Sequence, residues 1–511
     1  MDATDNPYLG QDLGTRLAER AKAHPDAPFM RWDDLAGDER CWNYAQFRAE
    51  VLGIAAGLQA RGILTGDRIL LHSDNCPDMV VAWYACALIG AMAVTTNTHS
   101  TASELAWFME QAHPRAAIVQ APYAALVGAH AGSLEWIAVM GENTAAPGLV
   151  PFDALRGDTA AFAAPAADPM RPAGIMYTSG TTSRPKAVVH THANYLWAGD
   201  SSARNTGFGA DDVHYAQLPF FHTNAQLWTV AVALSAGGSF VMIPKLTVTG
   251  FWPLVAKYGI THTSFLPLVM GAQKPPPPFV YRTLYIQGSH TGLKPMAEQW
   301  CVKLIGCYGM SETVTQTLLA DPALDWPDGT MGKPVAGYQV RVVDVDTGAL
   351  CPPGQPGELQ VKGQRGVQLF LEYGDNPEAT AKAFVDDGWF RTGDVVRMDA
   401  DGCVYYEDRG VDRLKVGGEN VSALEVEQAI MQVSGVAKAA VVAKPDPTLG
   451  EVPVAFVIPT GGTDGLEAAI IDHCVDRLSR FKRPRAVHFM DEFPSTLSGA
   501  KVDKKALRTM C

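Results

Sequence analysis

The chain has no excess of positive charge, no hydrophobic run long enough to span a bilayer, and no closely paired cysteines. Its 41 lysines and arginines face 54 aspartates and glutamates, a formal charge of −13, so nothing in bulk offsets phosphate repulsion and a nucleic-acid partner is excluded. An anionic small ligand would need local donors. The longest apolar stretch, Met79 to Val94, falls short of the roughly 20 residues that cross a bilayer and is interrupted by Gly90. It predicts a buried helix feeding a strand, and no membrane partner. The opening MDATDNPYLG has no basic start followed by an apolar run, so a secretory signal is not expected and a cytoplasmic location is. Nine cysteines occur without the spacings of a zinc site or a secreted disulfide framework, and read as core or surface thiols. There is no internal repeat.

What the chain does have is length and alternation. At 511 residues and 47% hydrophobic it exceeds one ordinary core, and two domains are expected, one large and one small. Amphipathic segments such as LGTRLAERAKAH and YAQFRAEVLGIAAGLQARG alternate with β-rich runs such as RILLHS, AAIVQA, GSFVMIP, ITHTSFLP and TLYIQG, which implies α/β layering. From about residue 330 the text becomes strand-rich, with YQVRVVDV, GELQVKG and CVYYEDR predicting an antiparallel meander or small barrel. After Arg409 a helix at ALEVEQAIMQV, strands at KAAVVAK and VPVAFVIP and a helix at GLEAAIIDHCVDRLSRF predict a second, compact α/β domain. The proline run Lys274 to Pro278 reads as a stiff polyproline loop.

One stretch, YTSGTTSRPKAVVH from Tyr177 to His190, follows the apolar residues AGIMY and so leaves a strand and turns back. Thr178, Ser179, Gly180, Thr181 and Thr182 can aim backbone N–H groups and hydroxyls at an anion, and Lys186 adds a point charge, which suits a polyphosphate. The Walker spacing GxxxxGK[ST] is absent. On composition alone a plain Ser/Thr-rich turn fits equally well.

The ordered motifs YTSGTTSRPKAVVHTH, LPFFHTNAQ, CYGMSET, WFRTGDVV, DRGVDRLKVGGENVSALEVE and STLSGAKVDKKALR settle that choice. With them nearly the whole chain resembles the adenylate-forming enzymes, a superfamily that includes acyl-CoA synthetases, luciferases and peptide-synthetase adenylation domains. GGENVSALEVE and FFHTNAQ look most like the crotonobetaine/carnitine-CoA ligase branch. The resemblance implies a large N-terminal domain of layered α/β subdomains over residues 1–408, with a β-barrel-like subdomain at about 330–408. It further implies a hinge at 409–412 around Gly410 and Val411, and a small mobile α+β domain at 413–511. The implied activity is an acyl-CoA ligase that makes an acyl-AMP from a carboxylic acid and ATP, then transfers the acyl group to CoA. A carrier-protein-loading adenylation enzyme and a non-catalytic CoA- or nucleotide-binding protein are the alternatives.

Carried onto this sequence, the resemblance gives Glu312 to Mg²⁺ and Ser311 to the α-phosphate. It places Tyr308, Gly309 and Met310 at the nucleotide and acyl junction. It gives the ribose to Asp394 and Arg409, the adenine and the acyl-pocket wall to Gly288, Ser289 and His290, and the gate between acyl pocket and thiol tunnel to His222, with Asn224 beside it. Phe220, Phe221, Thr223, Gln226 and Trp228 are expected near the same pocket. Gly417 and Gly418 would pass the pantetheine arm, and Lys501 would be the adenylation lysine. Lys415 and Lys482 are candidates for CoA phosphates, with solvated surface lysines as the plain reading. A homodimer is compatible with all of this.

Three departures bear on adenylation. Ser183 and Ala187 stand where the pattern places glycine, and a side chain there would be strained if the backbone needs positive φ. In TLSGAKVDKK one extra residue, Ala500, precedes Lys501. These changes imply an alternative in which a partner adenylating ligase, of the kind used in natural-product biosynthesis, supplies the acyl-adenylate.

Overall fold

Near-continuous apolar strands separated by helices suit a largely parallel sheet in which helices cover both faces. Ile69, Leu70 and Leu71 are such a strand, each fully buried. The computed structural model describes residues 6–132, 134–141, 148–178, 185–264, 283–287, 297–298, 302–345, 347–409, 413–494 and 502–511. It contains two large mixed sheets. In the first, Glu372–Tyr373, Lys186–Thr191, Pro172–Thr178, Met92–Thr95, Arg68–His72, Ala116–Gln120, Ile137–Met140 and Leu149–Pro151 lie side by side. Pairing is parallel from Pro172–Thr178 onward and antiparallel at the other edge. The second sheet runs Lys333–Pro334, Leu318–Leu319, Leu304–Tyr308, Thr283–Gln287, His262–Ser264, Val213–Ala216, Ser239–Met242, Pro28–Asp33 and Glu39–Asn43. Its centre is parallel and both edges are antiparallel.

The apolar stretch Met79 to Val94 is the helix Pro77–Ile89 followed by the strand Met92–Thr95, as expected. Proline opens the helix and Gly90, at φ 74°, ends it in the left-handed conformation that glycine adopts without penalty. Almost every side chain of this helix is buried. Among the described residues no helix is long and apolar enough to cross a membrane.

The strand-rich text from about residue 330 forms an antiparallel sheet of Gln339–Val343, Pro356–Lys362, Trp389–Met398 and Phe384–Val385, with Val404–Arg409 also on Trp389–Met398. Asn194, in the helix His192–Thr206, donates from Nδ2 to the carbonyls of Val367 (2.8 Å) and Leu369 (2.9 Å), tying the segment between Pro356–Lys362 and Glu372–Tyr373 to that helix. The C-terminal residues build a separate sheet of Glu419–Ser422, Arg413–Val416, Gly450–Pro459 and Val436–Asp446, with Val487–Phe489 on Gly450–Pro459. Helices Ala423–Met431 and Leu466–Arg477 close a core of their own that includes Val426, Ile430, Val457 and Ile470. That independent core is why the segment is a small second domain. The proline run lies outside the described residues.

Asn75 joins the two large sheets. It is 4% exposed, donates from Nδ2 to the carbonyls of Leu218 (3.0 Å) and Ile243 (3.1 Å), and accepts from the Phe220 N–H at 2.7 Å. It thereby holds the segment that leads to His222. Asn75→Ala leaves three buried backbone groups without their partner, each worth about 1–3 kcal/mol when unsatisfied. A lowered denaturation midpoint of at least the size of one such loss is the expected result, measured by urea unfolding.

Candidate functional site

The described site residues of the large domain cluster where strands of the two sheets run out at their carboxyl ends, the place where open α/β sheets bind ligands. Thr178 ends one such strand and Tyr308 another. Pro172–Thr178 turns back into Lys186–Thr191, and Thr178 pairs with Lys186 across the mouth of the hairpin. Ser179, Gly180, Thr181, Thr182 and Ser183 lie outside the described residues. Ala187 pairs with Tyr177 inside the hairpin, is 4% exposed, and is not among the residues of positive φ. The strain expected at this position therefore does not arise, because a paired strand accommodates alanine as readily as glycine.

The Lys186 ammonium lies 4.5 Å from the centroid of the Tyr373 ring, a cation–π distance. The hydroxyl of that ring donates to Glu312 Oε1 at 3.0 Å, and Thr178 Oγ1 stands 3.5 Å from the same oxygen. Glu312 is 3% exposed, and its other oxygen, Oε2, is buried with no hydrogen-bond partner among the described residues. An open carboxylate oxygen near Thr178 and the Tyr373 ring that carries Lys186 suits a hard cation. Among the described residues there is no group of three or more metal-ligating side chains, so a cation here would lean on Glu312 and on its ligand's oxygens.

The turn that carries Glu312 is strained. Residues Ser311–Thr313 form a single 3₁₀ turn, and Val314 follows at φ 68° and ψ −58°. The Thr315 N–H donates to the Thr313 carbonyl at 2.6 Å, closing a γ-turn around a β-branched residue, at a strain of about 1–3 kcal/mol. Neighbours hold it: Trp228 Nε1 donates to the Val314 carbonyl (3.1 Å) and the Tyr338 hydroxyl to the Thr313 carbonyl (2.7 Å). Only glycine fits at 309, where a Cβ would stand 2.5 Å from the Thr315 carbonyl oxygen and 2.7 Å from the Trp228 ring. Ser311 Oγ lies 2.5 Å from Thr223 Oγ1. The Ser311 carbonyl accepts from His190 Nε2 at 2.7 Å. Burial drives the His190 pKa down to about 4, so the ring is neutral and Nε2 carries its proton toward that carbonyl.

Asp394 is 2% exposed and accepts from the Tyr308 hydroxyl at 2.6 Å, while the Tyr406 hydroxyl stands 3.5 Å from its second oxygen. Its backbone pairs with that of Arg409. Met310 Sδ is 3.6 Å from the Tyr308 hydroxyl, and Asn224 Nδ2 is 2.5 Å from Ser264 Oγ. The structure thus brings together Thr178, Lys186, Ser311 and Glu312, and Tyr308 with Met310 and Asp394. Gly288, Ser289, His290, Gly410, Val411 and Lys501 lie outside the described residues. Thr223, expected near the pocket, is there, and Tyr373, His190 and Tyr406 join the site without a sequence signal of their own.

His222 starts the turn Thr223–Ala225, which runs into the π-helical stretch Gln226–Val230. Its Nε2 lies 3.1 Å from both carboxylate oxygens of Glu419, a residue of the C-terminal domain. Gly417 (φ 59°) and Gly418 (φ 91°) form the two-residue loop between the paired Val416 and Glu419. Two consecutive positive φ values are the I′ hairpin pattern, so the glycines are dictated by the turn that aims Glu419 at His222. Lys415 is exposed, and its backbone N–H donates to Glu451 Oε2 at 2.7 Å. Lys482 is neither a surface lysine nor available to a phosphate, because two carboxylates enclose it.

Burial opposes charge on the His222 imidazole, but the Glu419 carboxylate and its hydrogen bond prevail and raise the histidine above its usual 6.5. Burial likewise opposes charge on Glu419, and His222 prevails there too, lowering it below 4.5. The raised group contributes fully below pH 6.5 and fades as pH rises through its folded-state value. The lowered group contributes fully above pH 4.5 and fades as pH falls through its own. The contact is therefore strongest between those limits. In Glu419→Gln the His222 pKa should drop from its raised value, by NMR titration of the ring.

Residues 17–373 match the AMP-binding enzyme family, and residues 425–500 match the AMP-binding enzyme C-terminal domain. A crotonobetaine/carnitine–CoA ligase of Salmonella agona is 32% identical over 98% of this chain and 99% of its own. A double mutant of o-succinylbenzoate CoA synthetase from Bacillus subtilis, bound to a product analogue, superposes with a TM-score of 0.83 at 25% identity, covering 97% of this chain and 98% of its own. The anthranilate CoA ligase AuaEII in complex with anthranoyl-AMP superposes at 0.73 with 25% identity, over 100% and 99% of the two chains. With matched segments spanning most of its length, the chain belongs to the AMP-binding enzymes, alongside the CoA ligases.

Proposed function

We propose that this chain is an acyl-CoA ligase in which one cleft serves both half-reactions. The observation that carries the reading is Glu312, a buried carboxylate with one open oxygen, reached by the Thr178–Lys186 hairpin and linked to Lys186 through Tyr373. A carboxylate is a poor electrophile. Its oxygen attacks the α-phosphorus of ATP, the bond to pyrophosphate breaks, and a mixed acyl-AMP anhydride forms. The CoA sulfur then attacks the acyl carbonyl, its proton passes to solvent, and AMP leaves with the carbonyl–oxygen electron pair. Both steps accumulate negative charge near the α-phosphate, and preorganised donors and cations stabilise it.

In this reading Lys186 steers the departing pyrophosphate, and Ser311, oriented by Thr223, meets the α-phosphate. Asp394 takes the ribose, giving up the Tyr308 or Tyr406 hydroxyl for those of the sugar. Glu312 would hold Mg²⁺, which when bound neutralises charge on the phosphate oxygens. His222 bounds the acyl pocket, and Glu419 together with the Gly417–Gly418 turn approaches it from the C-terminal domain, on the side from which the thiol would enter. The ordinary strand backbone at Ala187 supports competence in adenylation as well as thioester formation.

Two assays test the reading: ATP–pyrophosphate exchange across a panel of carboxylic acids, and CoA consumption from a supplied acyl-adenylate. Activity in both is expected, and acid-dependent exchange that never rises above background would overturn self-sufficient adenylation. Lys186→Ala should raise the KM for ATP while leaving capture of a supplied adenylate nearly intact. Glu312→Gln should slow exchange by about 10²–10³-fold, the scale of one preorganised charge-stabilising group.

A further inference from the structure

Lys482 sits in the short turn Arg480–Lys482 of the C-terminal domain, with its side chain 8% exposed. Its ammonium contacts the carboxylate of Glu104 and lies 2.8 Å from Glu425 Oε1. Glu425 belongs to the same domain, in the helix Ala423–Met431, and already neutralises the lysine there. Glu104 belongs to the large domain. It is the third residue of the helix Ala102–Ala112, where its Oε2 accepts from the Thr101 N–H at 2.7 Å as half of a capping box. The same oxygen accepts from the Ser479 hydroxyl at 2.7 Å, a second bond across the domain boundary.

A second carboxylate beside a lysine already paired within its own domain adds nothing to that domain's charge balance. The pair it makes is almost dry, with Glu104 at 10% side-chain exposure, and a buried ion pair is weak evidence for stability, since desolvation offsets the attraction. What such a pair supplies is register. It fits one relative placement of the two domains, and in that placement the His222–Glu419 contact is also made. Two polar contacts between two bodies fix orientation as well as proximity.

We propose that Glu104 is a positioning residue for thioester formation, docking the C-terminal domain through Lys482 and Ser479 so that Glu419 and the Gly417–Gly418 turn face His222. The proposal rests on the acyl-CoA ligase reading for its effect on catalysis and on geometry alone for its effect on docking. Glu104→Gln keeps an acceptor for Thr101 and Ser479 and removes only the charge that Lys482 meets. Glu425→Gln is the comparison that leaves the contact across the boundary in place.

The two half-reactions are measured separately in the full-length variants. Glu104→Gln should slow CoA consumption from a supplied acyl-adenylate by about tenfold or more, since small misplacements remote from the chemistry have effects of this order. It should leave ATP–pyrophosphate exchange unchanged, and Glu425→Gln should disturb the CoA step less. In the same Glu104→Gln protein the raised His222 pKa should fall toward its ordinary value as Glu419 withdraws, a readout that needs no catalysis. A wild-type chain inactive in both half-reactions would sink the functional reading and leave the titration as the test of docking. An equal loss in both half-reactions, no change in either, or an unmoved His222 titration would overturn the role of Glu104.

Discussion

A buried carboxylate needs partners for both of its oxygens, and Glu312 sets that condition for the cleft. One of its oxygens takes the Tyr373 hydroxyl, and the other has no hydrogen-bond partner among the described residues. The strained γ-turn at Val314, the glycine at 309, Trp228 and Tyr338 all serve to hold that side chain inward. Tyr373 carries the effect further, because the ring that hydrogen-bonds the glutamate is also the ring on which Lys186 rests. The ammonium of Lys186 and the carboxyl of Glu312 are thus held around one phenol.

The second condition is assembly. The two large sheets are cut from distant parts of the chain and meet through residues such as Asn75, while the C-terminal domain has its own core and meets the large domain at His222–Glu419 and at Glu104. The cleft is thus bounded by the two sheets and met by a body that folds around a core of its own.

Much of this was legible in the sequence, for reasons that differ by residue. The helix Pro77–Ile89 was marked by its apolar run and by Gly90, both local signals. The hairpin from Thr178 to Lys186 was readable because a strand, a small-residue turn and a second strand follow one another directly. The strands Pro28–Asp33 and Glu39–Asn43 carried no such mark; the first pairs in parallel with Ser239–Met242, which is far away in the chain. Tyr373, His190 and Glu104 escaped for the same reason, since their partners are set by tertiary packing. Val314 went further and contradicted its own propensity, as a β-branched residue at positive φ does where the fold outweighs local preference. Lys482 read as a surface lysine because its second carboxylate comes from another domain.

With Thr178 and Tyr308 at the carboxyl ends of their strands, the opposite rim lies away from the candidate site. There the chain enters its strands through short turns closed by aspartates, Asp67 accepting from the Leu64 N–H and Asp212 from the Gly209 N–H. Those turns need only return the backbone to the sheet. Evolution can lengthen or decorate that rim, and an engineer can attach a tether or a label to it, while the ligand side keeps its shape.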